Sequence, residues 1–418
     1  MKFAATARGL STLYGASLTL SFGHGMTIPT IPLMVEHFDI SLFWGAQIVT
    51  AWAIGSLLGT PPAGMLTDRL GARVPLLLGP LLIVGAALTI IFAPWFWLVL
   101  LAMVVAGMGH SGWMIGREIA GIEIIAPSQR GRMLSGFMGT NAAGMALGPA
   151  LGGVVADSID FQAVFVGYLI SAALVLVLSL NAPVRARDAS DRPQALVRSK
   201  GPSLRSTFSR LPELIREIEP GLRSTYLILV FATFNTKMYR TLLRAMLPLY
   251  VVTYRGFTAT ELGFLLGIQG IFVIVMVFPG GFVTDKLGRK WATVPSTGIP
   301  AISFLLIPFA TGYWEIAGLM VLLGLSDGLA LGSIATSTYD VIPAHARGRL
   351  QAFRRTTSEG GSIGGSLVGG RIASAFNPGA PFLVAAPLLV IAAILVAFVA
   401  KETLVRHPTT AADSVDVR

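Results

Sequence analysis

The chain has 418 residues, of which 54% are hydrophobic and 12% are charged, and its mean hydropathy is +0.72. This composition excludes an ordinary water-soluble globular domain. The net charge of +10 does not indicate a nucleic-acid partner, because the basic residues of so apolar a chain collect on the cytoplasmic side of a membrane. The chain has no cysteine, which excludes disulfides and thiolate metal sites.

Apolar stretches of about 20 residues are long enough to cross a bilayer as helices, and we predict twelve of them. The first six lie near residues 10–35, 43–65, 73–93, 97–125, 133–157 and 161–182. The second six lie near residues 223–252, 259–283, 291–311, 314–341, 352–375 and 380–400. The sequence therefore predicts an all-α membrane protein with an N-terminal six-helix bundle (1–182), a linker (183–222), a C-terminal six-helix bundle (223–401) and a tail (402–418).

The two halves of the chain resemble each other. Residues 64–73 read GMLTDRLGAR, and residues 281–290, which begin 217 positions later, read GFVTDKLGRK. The same offset of 217 relates Glu123 to Asp340, each of which is followed by an Arg-Gly-Arg sequence. Internal duplication of a hydrophobic chain is typical of transporter folds. It predicts that the two bundles are pseudo-symmetric copies.

The basic residues indicate the orientation of the chain. The loops after even-numbered helices carry most of the arginine and lysine, whereas the loops on the other side carry little besides Arg255. The positive-inside rule then places both termini in the cytoplasm and the chain in the cell membrane. The basic linker ends with apolar residues at helical spacing, from Leu204 and Phe208 to Ile218. This segment is either an interfacial helix or a solvated tether.

The repeated loop resembles the signature of the major facilitator superfamily between helices two and three, although Ala72 stands where that family usually has a cation. The resemblance covers nearly the whole chain. It implies a charge network that closes the cytoplasmic side in one transport state. The alternative is that these charges only mark the topology. The implied gating residues are Asp68, Arg73, Glu123, Arg130, Asp285, Arg289, Asp340 and Arg347.

A second motif lies on predicted helix five, where Gly144, Gly148, Pro149 and Gly152 form the pattern GxxxGPxxG. It is similar to a signature of the proton-coupled drug antiporters within that superfamily, and it implies export. Close helix packing, which glycines four residues apart permit, is the alternative reading. One feature of that branch is absent, because Ala102 stands where an arginine is usual near the start of helix four.

Three cations lie at membrane depth on predicted helix seven. Lys237, Arg240 and Arg244 follow Thr233 at intervals that put all four residues on one helix face. Charged residues do not face lipid without a large cost, so this face should line a central cavity. His24 occupies the place in the first half that Arg240 has in the second, and it either binds cargo or packs in the core. Further substrate-binding candidates on helix four are Trp113 and Arg117.

Two carboxylates are candidates for proton coupling. Asp327 lies near the middle of predicted helix ten, and Glu118 lies about two turns from the end of helix four. A carboxylate at membrane depth needs a proton or a cationic partner, so Asp327 can alternate between a proton and an ion pair with Lys237 or Arg240. Either acid could instead support helix packing.

The predicted function is proton-coupled efflux of a small organic compound by alternating access, with the lipid bilayer and protons as its other partners. The alternative is an organic anion symporter or exchanger that uses the helix-seven cations. A third possibility is a relative that has lost coupling. The sequence contains no Walker loop, metal-ligand cluster or Ser/His/Asp grouping, so we predict neither an enzyme nor a cofactor or metal site. A monomer is sufficient, because one chain carries both bundles.

Overall fold

The computed structural model describes residues 2–125, 129–182, 211–330, 333–343 and 346–403. Nearly all of these residues are helical, and the described chain has no β-strand.

The first half contributes six membrane helices. They are α1 (Lys2–Met26, the 3₁₀ turn Ile28–Thr30 and Ile31–His37), α2 (Leu42–Leu70), α3 (Arg73–Ile91), α4 (Phe96–Ile124), α5 (Arg130–Ser158) and α6 (Phe161–Leu180). Helices α2 and α5 extend a few residues beyond the predicted apolar stretches, because a helix continues past the hydrocarbon region where its residues are polar. We call the end of the molecule where α1 begins the terminal face and the other end the opposite face.

The second half repeats this order. Its membrane helices are α7 (Arg223–Pro248 and Leu249–Tyr254), α8 (Ala259–Phe282 and Val283–Leu287), α9 (Arg289–Leu306 and Ile307–Phe309), α10 (Tyr313–Ala330 and Ser333–Val341), α11 (Arg347–Ala375) and α12 (Ala380–Ile394 and Leu395–Val399). By length and composition alone, eight of the described helices are apolar enough to cross a membrane. The remaining four, α1, α5, α7 and α11, carry more glycine, hydroxyl or charged residues.

Helix packing follows the duplication. In the first half α1 packs on α5, α2 on α4, and α3 on α6; in the second half α7 packs on α11, α8 on α10, and α9 on α12. The fold is therefore two pseudo-symmetric six-helix bundles, as the internal repeat predicts.

The bundles meet along two helix pairs, α5 with α8 and α2 with α11. Thr50 on α2 donates a hydrogen bond to Ser366 on α11 at 2.8 Å, and the backbone N–H of Phe43 donates to Ser374 Oγ at 2.8 Å. Both hydrogen bonds lie in the half of the molecule next to the opposite face. The structure is therefore closed at that face.

Asp157, near the end of α5, connects the same two bundles by capping a helix. Its carboxylate accepts the backbone N–H groups of Ala259 at 3.1 Å and Thr260 at 2.7 Å, which are the first residues of α8. The first N–H groups of a helix have no partner within the helix, so a carboxylate there satisfies them and complements the helix dipole.

The part of the linker that the structure describes packs on protein. Residues 183–210, including Leu204 and Phe208, lie outside the described ranges. The short helix Leu211–Arg216 follows, and its Leu214 is buried with Ile218 against residues of α7, α10 and α11. These two side chains therefore face the C-terminal bundle and not a membrane surface, because their apolar area is already covered.

Candidate functional site

A cavity of about 850 Å³ lies between the bundles. Its walls come mainly from α1, α2 and α4 in the first half and from α7 and α11 in the second. The lining extends toward the terminal face as far as Pro62 on α2, Glu118 on α4 and Ala352 on α11. Since the contacts between the bundles close the opposite face, the cavity opens toward the terminal face. Its volume suits a drug-sized molecule.

Asp327 on α10 is held by three donors from α7 and α8. Arg240 Nε donates to Oδ1 at 2.7 Å, Gln269 Nε2 donates to Oδ2 at 3.1 Å, and the Tyr239 hydroxyl also donates to Oδ1. The Asp327 side chain is 9% exposed, whereas that of Arg240 is 28% exposed and lines the cavity. The ion pair therefore connects the cavity wall to the buried interior of the C-terminal bundle.

Two glycines on α10 allow α8 to approach this carboxylate. A side chain at Gly324 would collide with the backbone of Gln269, and one at Gly328 would collide with Val273 and Met276. The sequence GLSDG thus places an acid between two points of close helix contact. That arrangement brings Gln269 within hydrogen-bonding distance of Asp327.

The other cations of α7 differ in their partners. Lys237 forms an ion pair with Glu359 on α11 at 3.3 Å, and its side chain is 46% exposed. Arg244 lines the cavity and has neither a hydrogen bond nor an ion pair within the described chain. Of the two partners predicted for Asp327, the structure therefore selects Arg240, whereas Lys237 pairs with Glu359 on α11.

His24 lies in an aromatic group that the sequence did not reveal. Its ring stacks on Trp52, with centroids 4.7 Å apart and planes 18° apart, and lies 5.7 Å from the ring of His110. All three residues line the cavity. Trp52 Nε1 and His110 Nδ1 are buried, and neither has a hydrogen-bond partner in the described ranges. Tyr168, whose hydroxyl is also buried without such a partner, lies behind His24.

Trp113 and Arg117 do not line the cavity, which corrects the prediction that they bind substrate. Arg117 is only 2% exposed, donates to Ser17 Oγ at 2.5 Å and lies over the Phe137 ring at 4.3 Å. Trp113 is buried and donates to Ser179 Oγ at 3.3 Å. Both side chains point into the N-terminal bundle and connect α4 to its neighbouring helices.

Glu118, the neighbour of Arg117, does line the cavity. Its carboxylate lies 3.5 Å from Arg117 Nη2, and its side chain is 45% exposed. Adjacent residues of a helix point in different directions, so α4 directs the cation inward and the acid toward the cavity. Glu118 is thus more hydrated than Asp327.

The glycine motif of α5 lies where that helix crosses α1 and α8. Side chains at Gly144, Gly148 or Gly152 would meet the backbone of α1. The Pro149 ring packs against Gly25 of α1, and the Pro149 carbonyl lies against Gly263 of α8. The motif therefore makes close packing possible both within the N-terminal bundle and between the bundles.

The predicted gating residues of the first half form no charge network among the described residues. Asp68, Arg73, Glu123 and Arg130 are all exposed, and none forms an ion pair with another described residue. This arrangement agrees with a cavity that is open at the terminal face.

The corresponding region of the second half contains an ion pair. Arg289 donates to Asp340 at 3.2 Å and to the Thr284 carbonyl at 3.2 Å. Glu402, which the sequence did not single out, accepts the backbone N–H groups of Arg289 and Lys290 at the start of α9. The backbone of Asp285 is described but its side chain is not, and Arg347 is exposed.

Family and structural comparisons agree with this architecture. The family model of the Major Facilitator Superfamily matches residues 13–236 and 229–415. The multidrug resistance protein MdtG of Dickeya zeae strain Ech586 is 26% identical over 387 residues, covering 88% of this chain and 88% of that protein. The class C tetracycline resistance protein of Escherichia coli is 25% identical over 369 residues, covering 86% and 88% respectively.

Solved structures show the same fold at lower identity. The peptide transporter POT in complex with sulfate superposes with a TM-score of 0.74 at 14% identity, over 96% of this chain and 98% of that one. A bacterial homologue of the human lysosomal transporter Spinster gives a TM-score of 0.70 at 14% identity, over 94% and 96%. This protein is thus a multi-pass membrane protein with a transporter fold, and it belongs to the Major Facilitator Superfamily.

Proposed function

We propose that this protein exports small organic compounds from the cell in exchange for protons, by alternating access, with its terminal face in the cytoplasm. The observation that carries the proposal is the ion pair between buried Asp327 and cavity-lining Arg240. The names of its relatives support drug efflux, since they are a multidrug resistance protein and a tetracycline resistance protein. Those names do not favour the alternative of an anion symporter or exchanger.

The ion pair provides a physical route to coupling. When Asp327 is ionised, it accepts hydrogen bonds from Tyr239 and Arg240 on α7 and from Gln269 on α8. A proton on Asp327 removes its charge, so Arg240 loses its counter-charge and the contact of α7 with α10 weakens. Protonation and cargo binding thereby bias the same helix packing, which is the requirement for coupling between two ligands.

The proposed moving units are residues 1–182 and 223–401, with 183–222 between them and 402–418 as a tail. Asp68, Arg73, Glu123 and Arg130 would meet partners when the terminal face closes, and Arg289, Asp340, Asp285 and Arg347 would form the equivalent group in the second half. Pairing of charges in one state and their hydration in the other is a recurrent way to stabilise two conformations. The proposed unit is a monomer, because a single chain holds both bundles and the cavity.

Transport in proteoliposomes tests the coupling. A drug that raises the thermal stability of the purified protein is selected first, irrespective of its charge. With an acidic lumen and a neutral exterior, the wild type should accumulate the drug above the level in protein-free liposomes. Asp327→Asn should abolish this uphill accumulation but retain exchange of labelled for unlabelled drug.

Glu359→Gln is the matched control, because Glu359 also lines the cavity but pairs with exposed Lys237. This variant should still accumulate the drug uphill. Gradient-driven accumulation that survives in Asp327→Asn would contradict the coupling role of Asp327.

A further inference from the structure

We propose that the cargo of this cavity is a planar aromatic compound with one anionic group, which Arg244 binds while the ring lies against His24 and Trp52. The inference rests on the proposed function and names the chemical class of the exported compound. It differs from an anion symporter, because the direction and the proton exchange stay those of efflux.

The charges around the cavity favour an anion. Those that line it are Lys237, Arg240, Arg244 and Arg355 together with Glu118 and Glu359. Three of the cations near the acids are already paired: Lys237 with Glu359, Arg240 with Asp327, and buried Arg117 with Glu118. The excess positive charge therefore belongs to Arg244 and Arg355.

Position separates these two cations. Arg355 is exposed and lies in the first third of α11, so water already solvates it. Arg244 is half-buried on α7 and lies seven residues farther from the terminal face than Lys237. No described residue accepts its hydrogen bonds. A guanidinium presents five donors that match a carboxylate with two parallel hydrogen bonds. A single anionic group therefore satisfies Arg244, whereas a neutral compound leaves it without a hydrogen-bonded anion.

The facing wall supplies the aromatic component. Arg244 lines the same cavity as His24 and His110, whose rings form a wall together with Trp52. His110 is 6% exposed, and its Nδ1, like Trp52 Nε1, is a buried polar atom without a partner in the part of the chain that the structure describes. Both atoms have almost no accessible surface, so cargo in the cavity meets the ring faces of this wall and not these polar atoms. Flat rings also stack on such a surface more closely than puckered ones.

Binding measurements with matched compounds test this inference. Naphthalene-2-carboxylate has the ring and the charge, naphthalene-2-carboxamide has only the ring, and cyclohexanecarboxylate has only the charge. Wild-type protein in detergent should bind the naphthoate at least about tenfold more tightly than either of the others, as one charge-assisted hydrogen-bond pair implies. Arg244→Gln should remove the preference for naphthoate over its amide without changing the affinity for the amide.

Two other variants complete the test. Arg355→Gln removes the exposed cation and should keep the preference, while Trp52→Leu should weaken both naphthalene compounds but not cyclohexanecarboxylate. If Arg244→Gln does not fold, Arg244→Lys replaces it, and this variant should keep a reduced preference for the acid. Equal affinity of the wild type for naphthoate and its amide, or equal loss of both in Arg244→Gln, would overturn the assignment. Neither result bears on proton-driven efflux, which is measured with a drug chosen irrespective of charge.

Discussion

Arg240 on α7 and Asp327 on α10 form an ion pair 2.7 Å long that has one member in the cavity wall and the other in the bundle interior. Arg240 borders the central cavity. The Asp327 carboxylate also accepts hydrogen bonds from Tyr239 and Gln269. Its charge therefore affects contacts among α7, α8 and α10. This relationship is the basis of the predictions for coupling and stability.

Removal of only one member of this pair should destabilise the protein. Arg240→Gln leaves the Asp327 carboxylate buried without a cation, and breaking a buried pair costs about 3–5 kcal/mol, less here because Arg240 is partly solvated. Asp327→Asn combined with Arg240→Gln should recover most of the loss, because no uncompensated charge is left. Thermal unfolding in detergent measures both effects. Lys237→Gln is the control and should cost less than about 1 kcal/mol, as exposed pairs do.

Loss of the Asp157 carboxylate should shift the protein toward the state that is open at the opposite face. Asp157→Ala removes a cap of α8 that also joins the bundles, and a cap contributes about 1 kcal/mol, or roughly a fivefold change in population. The chain has no cysteine, so a single cysteine introduced at Thr50 reports access from that face by its rate of alkylation.

Asp160→Ala is the matched control for this experiment. Asp160 caps α6 through the backbone N–H of Ala163, entirely within the N-terminal bundle. The Asp160→Ala variant should lower the free energy of unfolding by a similar amount but leave the alkylation rate of the cysteine at position 50 unchanged. Equal rates in the two variants would show that Asp157 does not hold the bundles together.

An added methyl group should have opposite effects at two glycines of α5. Gly148→Ala forces a Cβ against the backbone of α1 near Phe22, so we expect a loss of several kcal/mol or a failure to fold. Gly139→Ala meets no atom within 4 Å and should be neutral or stabilising by up to about 1 kcal/mol, because alanine favours a helix. Unfolding temperatures in detergent compare the two. A neutral Gly148→Ala would mean that α1 and α5 do not approach as closely as described.

The gating proposal predicts a defect in transport without a defect in stability. Asp68 is exposed and has no ion pair in the described structure, so Asp68→Asn should leave the unfolding temperature unchanged while it slows drug flux. Asp340→Asn removes a partner of Arg289 and should lower stability slightly, by less than about 1 kcal/mol. A normal rate of flux in Asp68→Asn would remove this residue from the proposed network.

Local patterns in the sequence were sufficient for the fold and for one wall of the cavity. Apolar stretches and the offset of 217 residues predict the helices and their duplication, and helical spacing puts Lys237, Arg240 and Arg244 on one face. The direction of a face is harder to predict. On α4 the spacing could not tell whether Glu118 or Arg117 faces the cavity, because both neighbours are polar and the answer depends on how α1 and α5 pack against that helix.

Partners that are distant in the sequence account for the other omissions. Asp327 lies 87 residues from Arg240, so the sequence could offer Arg240 or Lys237 as its partner but could not choose between them. Glu359 lies 122 residues from Lys237, and no spacing rule assigns that pair. Gln269 and His110 carried a usable signal, since each is a polar residue within an apolar helix. Their partners and their place in the cavity nevertheless required the packed structure.

Release of protons on drug binding tests the central claim most directly. If cargo and a proton compete through Asp327, a saturating drug should release protons in weakly buffered detergent solution that is acidic enough for the drug-free protein to carry that proton, because linkage between two ligands is reciprocal. A pH-indicator dye measures the release, and the same addition of drug to protein-free buffer provides the baseline. Wild type and Glu359→Gln should release protons, and Asp327→Asn should release none. The same release from Asp327→Asn as from the wild type would contradict the exchange of a proton for the Arg240 ion pair.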